Sequence, residues 1–127
     1  MEHESVFPAE MNPPRSPLSP AIKAKGLVYC SGQLAVSSDT GEVVPGDIGK
    51  QTEQVLLNLG RVLQAAGTDF DRVLKATVYM TDLSGFNAMN EVYRRFFPGS
   101  LPARTTIGVA SLSRPGCLVE IDLIALA

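Results

Sequence analysis

Histidine is almost missing from this chain, and its scarcity removes whole classes of chemistry. The one histidine, His3, lies in an N-terminal stretch expected to fray. Imidazole-based zinc sites, serine–histidine triads and histidine general bases are therefore not expected. Cysteine is scarce too. Cys30 and Cys117 both fall in strand-like segments, are too few for a stapled secreted scaffold, and read as reduced, buried, small hydrophobes. No run of Lys and Arg offers a phosphate-tracking patch, and the formal net charge is -2, with 11 basic and 13 acidic residues; nucleic acid is not expected as a partner. Apolar runs last only a few residues, which excludes a membrane span. The N-terminus has no basic head followed by an apolar core, so a cytoplasmic location is expected. No glycine-rich turn has phosphate-binding spacing. Any chemistry here must rest on arginine, carboxylates, hydroxyls, backbone groups and water.

What is present suits one globular domain spanning 1–127. Residues of the AVILMFWYC set make up 45% of the 127 residues, enough for a real core. Pro8, Pro13, Pro14, Pro17 and Pro20 forbid a helix and make residues 1–20 an extended, Pro-rich arm. Ala21 to Lys25 suits a short strand, and Leu27 to Leu34 a second one. Gly32 inside the latter marks close approach by another backbone or a ligand.

From about Asp47 the period becomes helical. Val55, Leu56, Leu59, Val62, Leu63 and Ala66 form one apolar stripe, which Gly67 ends as a left-handed cap. Val73 to Thr81 alternates, with Leu74, Ala76, Val78 and Met80 expected on one face and Lys75, Thr77 and Thr81 on the other. Asp82 or Ser84 can cap a second helix, whose stripe is Phe86, Met89, Tyr93 and Phe97 and which Pro98-Gly99 stops. Strands at Arg104–Leu112 and Cys117–Leu126, joined by Ser113-Arg114-Pro115-Gly116, close the chain. The expected fold class is α+β: a mixed sheet of about six strands with two helices packed on one face. The uncovered apolar face then needs a partner, so the pattern itself points to an oligomer.

Arg104, in Pro102-Ala103-Arg104-Thr105-Thr106, stands at the entrance to a strand. It is either a solvated surface arginine or a planar fork for a carboxylate or phosphate. Glu120 interrupts an otherwise apolar strand. It either shares a solvent-facing edge with Asp122 or is a desolvated carboxylate with a raised pKa, as a general acid or base requires. Ser31 has no base to make it a nucleophile and is assigned a binding role only.

These segments resemble the RidA/YjgF family. The resemblance runs through Ala21-Ile22, Val28-Tyr29-Cys30-Ser31-Gly32-Gln33, Gln51-Thr52 with Gln54, and Asn58-Leu59. It continues through Ala66-Gly67, Val73 with Lys75, Asp82, Phe86, Asn90, Tyr93 and Phe97, and ends in Pro102-Ala103-Arg104 and Val119-Glu120-Ile121. It covers residues 13–127. It implies a chorismate-mutase-like fold, a homotrimer with clefts between subunits, and hydrolysis of 2-aminoacrylate and related enamines or imines to 2-keto acids and ammonia, without metal or organic cofactor. It further implies that Arg104 grips the substrate carboxylate and Glu120 positions or activates water. Ser31, Gly32 and Thr106 would line the pocket, and Asn90 would face the cleft.

If residues 104–126 form a plain hairpin, Val109 pairs with Glu120, and Arg104 lies roughly 16 Å from Glu120 along the strands. Each cleft is then expected to combine Arg104 of one subunit with Glu120 of its neighbour. The chain also departs from the family. Leu18 stands where a tyrosine is usual, Thr106 where many relatives carry cysteine, and Gly108 where a polar residue is common. Leu18 makes the pocket more apolar and puts the substrate range in question. Other readings are a noncatalytic, carboxylate-binding regulatory trimer, a pathway-specific hydrolase of a larger imine, and a ribonuclease, against which the acidic balance and missing histidine weigh.

Overall fold

The computed structural model describes residues 2–127. Its first regular segment, β1 (Glu4–Val6), lies inside the Pro-rich arm and pairs antiparallel with β2 (Ala21–Ala24). The arm is thus extended as expected, but its start is tied into the sheet. β2 turns into β3 (Leu27–Leu34) through Lys25 and Gly26, both at positive φ (51° and 78°). Two consecutive left-handed residues make the two-residue hairpin loop that suits strand twist.

α1 (Ile48–Ala65) starts where the Asp47 side chain accepts from the Lys50 amide at 3.0 Å, and it ends before Gly67 at φ 84°, the anticipated left-handed cap. β4 (Val73–Met80) follows. Asp82 caps the short 3-10 turn at Leu83–Gly85 through the Ser84 amide rather than the second helix, and α2 (Phe86–Phe96) begins at Gly85 without a side-chain cap. β5 (Ala103–Gly108) and β6 (Val119–Leu126) are shorter than the sequence suggests.

The six strands form one mixed sheet in the order β1-β2-β3-β6-β4-β5. The hairpin expected between β5 and β6 does not exist. β5 pairs parallel with β4, Arg104 opposite Ala76, while β6 runs antiparallel between β3 and β4. The cause is visible in the segments: β4, α2 and β5 make a strand–helix–strand crossover, the connection that parallel neighbours require.

α1 and α2 pack on one face, as expected, against Val28, Cys30, Ala76, Val78, Met80 and the alternating Val119, Ile121, Leu123 and Ala125. Leu74 is not on that face. A register shift between Val73 and Lys75 sends it outward, 45% exposed, while Val73 is buried instead. The opposite face carries Tyr29, Ile107 and Leu126 partly exposed beside Lys75, Thr77, Glu120 and Asp122. Among the described residues, no helix is long and apolar enough to cross a membrane.

Candidate functional site

Glu120 lies on the helix-free face, where its backbone pairs with Leu34 on one side and Tyr79 on the other. β3 bulges at this point: Cys30 pairs with Leu123 and Gln33 with Ile121, so Ser31 and Gly32 together face the single residue Asp122. The bulge brings the Gly32 backbone against the Glu120 carboxylate, in space that any side chain at position 32 would occupy. Burial, with Asp122 close by, pushes the Glu120 pKa above the ordinary glutamate value. Asp122 itself accepts a hydrogen bond from the Tyr79 hydroxyl at 2.9 Å.

Glu120, Ser31, Gly32 and Leu18 all line one cavity of about 650 Å³, roofed by the Pro-rich arm. The Ser31 hydroxyl donates to the Ser19 carbonyl at 2.6 Å, so its proton fastens the arm to β3. Ser31 therefore faces the cavity with lone pairs to offer, not a free donor. Asn58 of α1 also lines the cavity, and polar side chains of the same helix tie the neighbouring loops to it. Asn58 donates to the carbonyls of Leu34 (3.2 Å) and Val36 (2.9 Å), and Gln54 donates to the Asn58 carbonyl oxygen at 2.9 Å. Gln51 donates to Val44 and Gly116 (3.2 and 2.8 Å) and accepts from the Leu118 amide at 2.7 Å.

Arg104, Thr106 and Asn90 are elsewhere. Arg104 pairs with Ala76 and Thr106 with Val78, which puts both side chains on the helix-bearing face. The Arg104 guanidinium lies 4.8 Å from the centre of the Tyr93 ring and 5.7 Å from that of Phe86. Phe86, Asn90 and Tyr93 recur at helical spacing, so one face of α2 meets Arg104. Three buried side-chain oxygens of this cluster have no hydrogen-bond partner among the described residues: those of Asn90 (Oδ1), Tyr93 (Oη) and Thr106 (Oγ1). Burial raises the Tyr93 pKa, against the opposing pull of Arg104. A charged fork ringed by unmatched oxygens is suited to a polar ligand.

Arg104 and Glu120 are thus separated by two strand spacings and by three residues of register, Ala76 against Tyr79. That amounts to roughly 14 Å, with the side chains on opposite faces. The hairpin premise is wrong, yet the separation it suggests is present for a different reason. Sequence reasoning does not single out Tyr93 and Phe86 as site residues, because their spacing is equally that of a core stripe. Nor does it single out Arg15 and Arg114, which also line the cavity. Neither thiol belongs to this chemistry: Cys30 and Cys117 are free and buried, and burial pushes the Cys30 pKa up to about 12. Among the described residues, no group of three or more His, Cys, Asp and Glu is placed to hold a metal ion.

The profile of the family described as Endoribonuclease L-PSP matches residues 9–127. The chain is 44% identical over 109 residues to the 2-iminobutanoate/2-iminopropanoate deaminase of Mus musculus, covering 86% of this chain and 80% of that one. It is 43% identical over 122 residues to a RutC family protein of Pyrococcus horikoshii, covering 96% of each. Among solved structures it is similar to Escherichia coli TdcF with bound serine, with a TM-score of 0.91 and 31% identity over 98% of both chains. The Escherichia coli YjgF gene product gives a TM-score of 0.91 and 30% identity over 97% of this chain and 98% of the other. With a family profile that matches nearly the whole chain, and with relatives and solved structures this similar in sequence and fold, this chain belongs to the RidA/YjgF family.

Proposed function

We propose that this protein hydrolyses 2-imino acids to 2-keto acids and ammonia, at a site completed between two copies of the chain. The observation that carries the reading is the division of the polar machinery. Glu120, Ser31, Gly32 and Leu18 gather on one face of the sheet, and Arg104, Thr106 and Asn90 gather on the other with unmatched buried oxygens. Neither half suffices alone. A neighbouring copy that brings its Arg104 cluster over the cavity supplies a carboxylate anchor and gives those oxygens a ligand. The partly apolar, helix-free sheet face offers a surface for such packing, in keeping with the homotrimer that the family resemblance implies.

The chemistry follows from these groups. The Arg104 fork binds the substrate carboxylate bidentately and fixes the C=N carbon. With the imine protonated on nitrogen, Glu120 accepts a proton from water as the water oxygen bonds to that carbon and the C=N π pair moves to nitrogen, giving a neutral carbinolamine. That proton passes from Glu120 to the nitrogen, the C–N bond breaks with its electron pair on the departing ammonia, and Glu120 takes the hydroxyl proton as the carbonyl of the 2-keto acid forms. A carboxyl group whose pKa is raised above the ordinary glutamate value suits these transfers better than a fully solvated one. Enamines such as 2-aminoacrylate enter after tautomerising to the imine. Residues 1–127 act as one unit, and the free thiols suit a reducing, cytoplasmic setting.

The experiment is imine hydrolysis with 2-iminobutanoate and 2-iminopropanoate generated in place by an amino-acid oxidase and followed by competition with semicarbazide. Wild type is expected to outcompete the trap, while Arg104→Ala and Glu120→Gln lose activity by about 100-fold or more. A wild type that binds 2-keto acids yet turns over no imine would make the protein a binder and sink the enzymatic reading.

A further inference from the structure

The cavity that holds Glu120 extends to a second cationic end. Arg15, from the Pro-rich arm, and Arg114, from the loop before β6, both line it. They converge on Gly41, in the loop that leaves β3 after Leu34. Both terminal nitrogens of Arg114 donate to the Gly41 carbonyl at 3.4 Å, the long limit of a hydrogen bond. A Cβ built on Gly41 would lie 3.4 Å from a terminal nitrogen of Arg15. Gly41 has φ 74°, a left-handed turn conformation, and a terminal nitrogen of Arg15 lies beside the residue whose carbonyl Arg114 engages. Among the described residues lining the cavity, Glu120 is the only carboxylate, against two arginines. The cavity is therefore net positive in a chain whose formal charge is -2. Two arginines against a single carboxylate in the lining favour an anion beside the arginine pair.

Size points the same way. A three-carbon imino acid occupies on the order of 100 Å³, a few waters' worth at about 30 Å³ each. The cavity of a single chain measures about 650 Å³ before a neighbouring copy covers it, and Leu18 brings no hydroxyl to its wall. A small apolar substrate would leave both arginines unused.

We infer that Arg15 and Arg114 recognise a second anionic group, so that the substrates are imines of dicarboxylic amino acids. Arg104 takes the carboxylate beside the C=N carbon, and the Arg15–Arg114 pair takes the distal one. The reaction is unchanged in its balance: water adds, ammonia leaves, and a 2-keto dicarboxylate is formed. This inference rests on the imine-hydrolase reading and adds the substrate class to it.

The test compares 2-iminoglutarate, made by a glutamate oxidase, with 2-iminobutanoate in wild type, Arg15→Gln/Arg114→Gln and Arg15→Lys/Arg114→Lys. Wild type is expected to show the higher kcat/KM on the dicarboxylate. The Gln pair should lower the ratio of the two kcat/KM values about tenfold or more, chiefly through KM, and the Lys pair should restore part of it. Succinate should inhibit wild type better than butanoate, and this difference should vanish in the Gln pair. If 2-iminobutanoate is hydrolysed but the ratio is the same in all three proteins, the second anion site is refuted and the hydrolase stands. If no imine is hydrolysed, the hydrolase reading falls and takes this inference with it.

Discussion

A Cβ at position 32 would fall inside the Glu120 carboxylate, so Gly32 is glycine for the sake of a neighbour. Gly32→Ala is accordingly expected to push the flexible Glu120 carboxylate off its position, lowering kcat/KM for imine hydrolysis about 10- to 100-fold with little change in stability by chemical denaturation. Unchanged turnover in the Gly32→Ala variant would show that the contact is incidental. Glu120 also makes a pH prediction. Its pKa is raised in the folded state, so the fold disfavours the ionised form. The penalty is absent below the unfolded-state pKa, grows as pH rises through the folded value, and is full above it. Glu120→Gln should therefore melt at a higher temperature than wild type at pH 8 and show no advantage at pH 4. The acid limb of wild-type activity should lie above the ordinary glutamate pKa, because the base must be ionised. Both trends can be read from pH series of melting curves and rates.

α1 and β5 show how far elements can be read in advance. The apolar stripe of α1 and its glycine stop are plain in the residue spacing, and so is the alternation of β6. The buried polar side chains of α1 are less legible, because Gln51 and Asn58 sit on the core-facing side only by virtue of loops whose backbone groups they satisfy. Gln51→Leu strands the Leu118 amide and frees the Val44 and Gly116 carbonyls. It should cost about 2–3 kcal/mol in denaturant unfolding and loosen the loops around the cavity. β5 reads as the partner of β6 because two consecutive strands joined by a Pro-Gly turn look like a hairpin. The β4–α2–β5 crossover is present in the same residues and is the stronger constraint. That pairing decides which face Arg104 occupies, so the aromatic contacts of Tyr93 and Phe86 cannot be read before it. Ser31, Gly32, Glu120 and Leu18 are named in advance as a group through the family resemblance, and it is the strand bulge and the return of the arm, neither legible in the residue pattern, that bring them to one cavity.

At the scale of the whole molecule, the proposed function divides one site into two halves that a single chain carries on opposite sides of its sheet. A polar cluster with unmatched oxygens lies on the helix side, and a cavity with a desolvated carboxylate lies on the other. Assembly of identical copies can join such halves without any new residue, since each copy offers one half to each of two neighbours in a closed ring. The most direct measurement is complementation between two inactive variants, Arg104→Ala and Glu120→Gln, unfolded together in equal amounts and refolded as mixed assemblies. If each site takes Arg104 from one copy and Glu120 from another, about one quarter of interfaces regain both native groups. Imine hydrolysis should return to about that fraction of wild type. Mixed assemblies as inactive as the separate variants would contradict the account and return both residues to a single chain.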